Sequence, residues 1–149
     1  MTVSLSDGPA ATEAIGASLA RRLHPGDVVL VSGELGAGKT TLIRGACRAL
    51  GVTEPVVSPT FTIGRRYRGQ APISHLDLYR LEEMGSEEPG LLDDYLTPDS
   101  VAFIEWPDTA AGGLERDGVR VAARVELSHA GGDRREVKVS SPATEPAES

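Results

Sequence analysis

Apolar residues along the chain fall into two patterns, continuous runs and stripes at helical spacing. The continuous runs at 28–31 and 101–104 are typical of strands buried on both faces, as in a parallel sheet between helices. Stripes with an apolar residue every three or four positions predict helices over 9–23 and 41–50. The combination predicts an α/β domain with a mixed central sheet.

Other segments show strand patterns separated by turn residues. Two of them, 61–67 and 71–76, flank Arg68-Gly69-Gln70 and predict a hairpin. The remaining predicted elements are strands over 1–5, 119–127 and 135–139, the last two around a turn at 129–133, and a helical turn plus a short helix around 91–96 within 78–96.

Length and composition fit one globular domain. The chain has 149 residues, of which 40% are hydrophobic and 25% charged, so it is long and apolar enough to bury a core. Residues 141–149 contain two prolines, two glutamates and no large apolar residue. We therefore expect a single domain over 1–140 and a disordered tail over 141–149.

Charge and cysteine content narrow the functional classes. A formal charge of −7 argues against holding nucleic acid by bulk electrostatics, although small basic patches stay open. The single cysteine, Cys47, excludes an intramolecular disulfide, and its place on an apolar stripe predicts a buried small hydrophobe rather than a nucleophile. With no membrane-length apolar run and no signal segment, we expect a cytoplasmic protein.

Residues 33–40, Gly-Glu-Leu-Gly-Ala-Gly-Lys-Thr, match the Walker A sequence G-x-x-x-x-G-K-S/T. Its glycines let successive backbone N–H groups turn toward phosphate oxygens, and the following helix adds the positive end of its dipole. Lys39 can reach the β- and γ-phosphates, and the Thr40 hydroxyl can ligate Mg²⁺. The match stands between a buried-strand pattern and a helix pattern, the context that such a loop requires.

Hydrolysis needs an acidic group near the metal, and two carboxylates follow predicted strands. Glu105 comes directly after the run at 101–104, in the position of a Walker B carboxylate. Asp77 comes directly after the strand predicted at 71–76. The alternative for Glu105 is a solvated strand end, and the alternative for Asp77 is a cap of the next turn.

Two further features bear on ligands and partners. The chain contains no asparagine, so the Asn/Thr-Lys-x-Asp loop that selects guanine has no counterpart, which favours ATP over GTP. Arg65, Arg66 and Arg68 form a basic hairpin that contacts tRNA or an acidic partner, or is simply an exposed charge cluster.

Three more motifs follow the Walker A sequence in order: Ser58-Pro59-Thr60-Phe61-Thr62, His75-Leu76-Asp77-Leu78-Tyr79-Arg80-Leu81 and Ile104-Glu105-Trp106-Pro107. With them the chain resembles the TsaE (also called YjeE) family over about 6–139. That family comprises bacterial P-loop ATPases needed for threonylcarbamoyladenosine, the tRNA modification beside the anticodon. The resemblance implies a P-loop NTPase-like three-layer fold, a mixed central β-sheet flanked by helices.

The resemblance also implies which residues bind the metal, which bind the phosphates and which are catalytic. Mg²⁺ is expected on Thr40 and Glu105, and Asp77 is expected as a second catalytic acid beside Lys39 and Glu105. The ATP phosphates are expected on the loop and the start of the helix: Gly36, Ala37, Gly38, Lys39, Thr40 and Thr41.

Other positions are assigned through the resemblance alone. Thr60, or Thr62, is expected to order the nucleophilic water from a switch-like loop. Thr12 belongs to the segment on the adenine side. Trp106 is expected beside the nucleotide, or else covers the core; Arg135 is expected by the nucleotide, or else is a solvated strand charge.

The implied partner is a TsaB–TsaD-like complex, through which tRNA is reached indirectly. The favoured function is therefore a partner-dependent ATPase with ATP and Mg²⁺ as its cofactors. A small-molecule kinase and a non-catalytic ATP-gated adaptor are the alternatives, since both share the phosphate loop.

Overall fold

A computed structural model describes residues 2–33, 38–57, 64–77, 95–106 and 121–140, and these form seven strands and two helices. The strands are β1 (Thr2–Ser6), β2 (Val28–Gly33), β3 (Gly64–Arg68), β4 (Pro72–Asp77), β5 (Val101–Trp106), β6 (Val121–His129) and β7 (Arg135–Ser140). The helices are α1 (Pro9–Ala20) and α2 (Lys39–Ala49). Neither helix of these described ranges is long and apolar enough to cross a membrane.

The strands make one mixed sheet in the order β1-β7-β6-β2-β5-β4-β3. The strand β2 runs parallel to both neighbours, β5 and β6, and β4 runs parallel to β5. The outer pairs β3/β4, β6/β7 and β1/β7 are antiparallel. Because β2, β4, β5 and β6 point the same way, their carboxyl ends meet at one edge of the sheet.

The core lies between the two helices and one face of the sheet. Val29, Val31 and Phe103 from the sheet join Leu42 and Ile43 of α2 in one buried cluster. On the opposite face of the same strands, side chains are buried as well: Leu30, Leu76, Ala102 and Ile104. Both faces of the central strands are therefore covered, which confirms the mixed α/β sheet predicted from the continuous apolar runs.

Cys47 belongs to this core, as predicted. Its side chain is fully buried on α2, and burial raises the pKa of the thiol to about 12. Because the thiolate is the reactive form of cysteine, this residue is a packing residue rather than a nucleophile.

The helix boundaries differ from the prediction by two or three residues. The helix α1 ends at Ala20 rather than 23, because the chain turns there while Leu23 still packs against the core. The helix α2 begins at Lys39 rather than 41, since Gly38 adopts the left-handed conformation and caps it. An apolar stripe therefore marks the buried part of a helix rather than its ends.

The strand predictions are confirmed where the structure describes them. The hairpin predicted around Arg68-Gly69-Gln70 is formed by β3 and β4, and β6 and β7 pair around the turn at 131–133. In the helix predicted around 91–96, Tyr95 and Leu96 are not helical. The rest of that prediction, the first residues of the strands predicted from 61 and from 119, and the tail at 141–149 lie outside the described residues.

The two helices cross at a pair of glycines. A Cβ atom on Gly45 of α2 would collide with the backbone oxygen of Glu13, and one on Gly16 of α1 with the backbone oxygen of Leu42. Glu13 also forms ion pairs with Arg44 and Arg48 across the same crossing. The close approach of the helix backbones thus depends on both glycines.

We therefore expect Gly45→Ala to lower the free energy of unfolding by about 1–3 kcal/mol, although alanine is the better helix former. The collision is with backbone, which cannot turn aside as a side chain can. Urea unfolding followed by circular dichroism measures the change. Gly8→Ala is the control, because a Cβ there meets nothing within 4 Å. An equal decrease in the free energy of unfolding in both variants would contradict the dependence of the helix crossing on Gly45.

Candidate functional site

The carboxyl end of β2 leads through the glycine-rich segment into α2. Gly33 and Gly38, at either side of it, have φ angles of +151° and +99°, which other residues rarely adopt. A Cβ on Gly33 would also collide with the backbone oxygen of Leu127 in β6. Glycine is thus required at both positions. Gly36 and Ala37, predicted to bind phosphate, lie outside the described residues.

Lys39, Thr40 and Thr41 are the first three residues of α2, where backbone N–H groups have no partner within the helix. The Lys39 ammonium donates a hydrogen bond to the Gly33 carbonyl oxygen at 2.8 Å. The side chain therefore spans the glycine-rich segment from its end back to its start. An ammonium group and the positive end of a helix consequently lie at the same place.

Two carboxylates lie at the edge where the parallel strands end. Val31 of β2 pairs with Glu105 of β5, which in turn pairs with Asp77 of β4. Residues paired in this way on neighbouring strands point to the same face of the sheet, so Glu105 and Asp77 are brought together. Asp77 is half-buried and Glu105 is only 5% exposed.

Glu105 joins α2 to the sheet. Its Oε2 atom accepts a hydrogen bond from the Thr40 hydroxyl at 3.1 Å and contacts Nε2 of His75 at 2.5 Å. Within the described chain no lysine or arginine pairs with this carboxylate. The solvated strand end considered for Glu105 is therefore wrong, because the group is buried and bonded. For Asp77 the capping alternative stays open, since the turn after it lies outside the described residues.

His75 is not among the site residues predicted from the sequence, although it belongs to one of the motifs. It is fully buried on β4, two residues before Asp77 and on the same face of the strand. The signal was present in the spacing His75-x-Asp77, because alternate residues of a strand share a face. What could not be read from the spacing is that β5 would bring Glu105 against the imidazole.

Thr12 borders the other side of the glycine-rich segment. Its methyl group would lie 3.7 Å from a Cβ on Gly38. Thr12 is only 2% exposed, and its hydroxyl shares a 2.6 Å hydrogen bond with the Ser6 hydroxyl. The structure thus brings Thr12 next to the start of α2, with its hydroxyl already bonded to β1.

The other predicted site residues are spread along the same edge or lie outside the description. Arg135 begins β7, two strands from β2, and its guanidinium donates to the carbonyl oxygens of Gly132 and Arg134 at 2.9 and 2.8 Å. Trp106 ends β5, and its backbone pairs with Ser32 of β2. Thr60 lies outside the described residues.

The basic hairpin does not form one patch. Arg65 pairs with His75 across the hairpin and shares its face of the sheet, whereas Arg66 and Arg68 point to the other face. The Arg66 guanidinium lies 4.7 Å from the centre of the Tyr95 ring, in cation–π geometry. All three are exposed, but they cannot contact one flat ligand together.

The oxygen atoms of Thr40 and Glu105 are suited to bind a hard cation together with phosphate. The described residues contain no group of three His, Cys, Asp or Glu that could hold a metal ion alone. Thr40 and Glu105 nevertheless place a hydroxyl and a carboxylate oxygen 3.1 Å apart. Mg²⁺ prefers oxygen ligands and commonly takes one or two from protein, with the others from phosphates and water.

The chain was then compared with known proteins. The family model for "Threonylcarbamoyl adenosine biosynthesis protein TsaE" matches residues 6–137. The tRNA threonylcarbamoyladenosine biosynthesis protein TsaE of Bacillus subtilis is 39% identical over 130 residues, covering 87% of this chain and 78% of the relative. The protein of the same name from Streptomyces coelicolor is 43% identical over 110 residues, covering 72% of this chain and 74% of its own.

A solved structure agrees with these relatives. The crystal structure of Bacillus subtilis YdiB is similar with a TM-score of 0.73 and 30% sequence identity, over 94% of this chain and 84% of that one. Fold and sequence thus agree over most of the chain. The chain belongs to the TsaE family, which takes part in the biosynthesis of threonylcarbamoyladenosine in tRNA.

Proposed function

We propose that this protein is an ATPase that hydrolyses Mg-ATP to support threonylcarbamoyladenosine modification of tRNA. One observation carries the proposal: the first turn of α2 presents Lys39 and Thr40, and the Thr40 hydroxyl meets the buried Glu105 carboxylate. Phosphoryl transfer depends mostly on positioning and on charge stabilisation, and these groups supply both. The lack of a guanine-selecting loop favours ATP.

The role of each residue follows from its position. Lys39 and the backbone N–H groups of the first turn of α2 stabilise the negative charge of the phosphates. Thr40 and Glu105 would hold Mg²⁺, which when bound neutralises charge on the phosphate oxygens. Asp77, paired with Glu105 at the same edge, orients the attacking water. Arg135, Trp106 and Thr60 stay predicted nucleotide contacts.

The burial of Glu105 supports a cation at this site. A buried carboxylate costs free energy unless it is paired, and its described partners are a hydroxyl and an imidazole. A divalent cation beside Oε2 would supply the missing positive charge. The protein thus keeps a poorly compensated charge where the proposed function needs a metal ligand.

The proposed partner is a TsaB–TsaD-like complex, with tRNA reached through that complex. A chain with a net charge of −7, in which the three hairpin arginines lie on two faces of the sheet, is poorly suited to hold tRNA alone. We accordingly place the protein in the cytoplasm, where tRNA is modified.

Lys39→Ala should lower ATP turnover by at least about 100-fold, because it removes a charge that stabilises the transferred phosphoryl group. Lys138→Ala is the control, since Lys138 is the only other lysine and lies on β7. Release of free phosphate is measured with and without the partner complex. Unchanged turnover in Lys39→Ala would refute the site, and a phosphorylated acceptor formed faster than free phosphate would indicate a kinase.

Glu105→Gln should leave the protein folded, with a free energy of unfolding in EDTA equal to or about 1 kcal/mol above that of the wild type, because a buried uncompensated charge is removed. The same variant should bind Mn²⁺, in the presence of a non-hydrolysable ATP analogue, at least about 10-fold more weakly. Glu126→Gln, on the exposed side of β6, is the control for both measurements. A variant that binds Mn²⁺ like the wild type would exclude Glu105 as a metal ligand.

Mixing the protein with a TsaB–TsaD-like complex, ATP and Mg²⁺ should give a larger assembly by mass measurement. The wild type should join it, and the complex should then support modification of tRNA. A Glu105→Ala variant that loses hydrolysis yet sustains full modification would instead show a non-catalytic adaptor. No assembly under any nucleotide condition would contradict the proposed partner.

A further inference from the structure

His75 is a fully buried, titratable residue that the mechanism above does not use. It lies on β4 with 0% exposure, and its Nε2 atom is 2.5 Å from Oε2 of Glu105. The Tyr67 ring lies 6.5 Å away on the neighbouring strand β3, and Phe103 of β5 pairs with His75 in the sheet. A polar ring in such a place needs a physical reason to be there.

The other ring nitrogen, Nδ1, is buried and has no hydrogen-bond partner among the residues that the structure describes. If the imidazole were protonated on both nitrogens, a buried N–H donor would be left without an acceptor. The same would follow if Glu105 carried the proton and donated it to Nε2. A neutral imidazole with its proton on Nε2 avoids this, because Nδ1 then carries only a lone pair.

We infer that His75 is a positioning residue of this site, which, resting on the proposed function, holds the Glu105 carboxylate for the metal through an Nε2–H···Oε2 hydrogen bond. Two donors, Thr40 from α2 and His75 from β4, converge on the same oxygen. The glutamate side chain has several rotatable bonds, and two bonds from different elements restrict it to one arrangement.

A neutral hydrogen-bond donor would leave the negative charge of the Glu105 carboxylate available to a cation. A lysine or arginine in place of His75 would also fix the carboxylate, but it would cancel the negative charge that a cation needs. A neutral imidazole supplies the hydrogen bond and leaves the charge. Metal sites commonly orient their carboxylate ligands through such outer hydrogen bonds.

The tautomer can be observed directly in the wild-type protein without nucleotide. Long-range proton–nitrogen NMR spectra distinguish the two neutral tautomers, and the chain has three histidines to assign. We expect His75 to carry its proton on Nε2 alone, because its buried Nδ1 atom has no acceptor among the described residues. The signal that disappears in His75→Gln identifies it. A proton on Nδ1, or an even mixture of tautomers, overturns the inference.

Two substitutions separate the hydrogen bond from the packing. In His75→Gln the amide nitrogen is as many bonds from Cβ as Nε2 is, so a donor is kept, whereas His75→Phe keeps a ring without a donor. Mn²⁺ titration with a non-hydrolysable ATP analogue, followed by electron paramagnetic resonance, should show about 10-fold or greater weakening in His75→Phe. His75→Gln should stay within about threefold of the wild type.

Equal weakening in both variants, or none in His75→Phe, overturns the positioning role. Thermal unfolding checks that both variants fold. If His75→Phe does not fold, the tautomer of the wild type and the metal affinity of His75→Gln still test the positioning role. The proposed function fails separately: a wild-type protein that neither binds nor turns over Mg-ATP contradicts the ATPase, whatever the tautomer. Normal wild-type turnover with a metal affinity that does not depend on His75 contradicts this inference alone.

Discussion

The arrangement of the site depends on one buried carboxylate. Glu105 is where α2, β4 and β5 meet, because the Thr40 hydroxyl donates to its Oε2 atom and Nε2 of His75 contacts the same atom. The carboxyl ends of parallel strands converge at one edge, which places Glu105 and Asp77 beside the start of α2. The Thr40 hydroxyl links the start of α2 to β5 through that carboxylate, and Lys39 links it to β2 through the Gly33 carbonyl oxygen.

The link through Glu105 costs stability. The carboxylate is almost fully buried and its described partners are a hydroxyl and an imidazole, so no lysine or arginine of the described residues offsets its charge. The packing of the core offsets this loss of stability. The helices approach closely at Gly16 and Gly45, and both faces of the central strands are covered. A well-packed frame of this kind can hold a buried charged group in place.

The predictions succeeded where the pattern was local and failed at boundaries and across strands. Three segments follow one another along the chain: the buried run at 28–31, the glycine-rich segment and the helix α2. Because they are adjacent, the pattern of each one supported the interpretation of the segment after it. The start of α2 is predicted at 41 because residues 33–40 are interpreted as a glycine-rich turn, whereas Lys39 and Thr40 already belong to the helix. The three hairpin arginines looked like one cluster, yet strand alternation separates Arg65 from the others and Arg66 lies over Tyr95.

The sequence by itself determined the strand and helix on either side of the glycine-rich segment, the burial of Cys47 and the mixed α/β class. All three follow from short segments whose spacing matches a helix or a strand. Only the tertiary structure decided that Thr40 and His75 share the Glu105 carboxylate, since these residues lie 65 and 30 positions away from it along the chain. Strand order creates such contacts, and strand order is set by packing of the whole sheet rather than by any one segment.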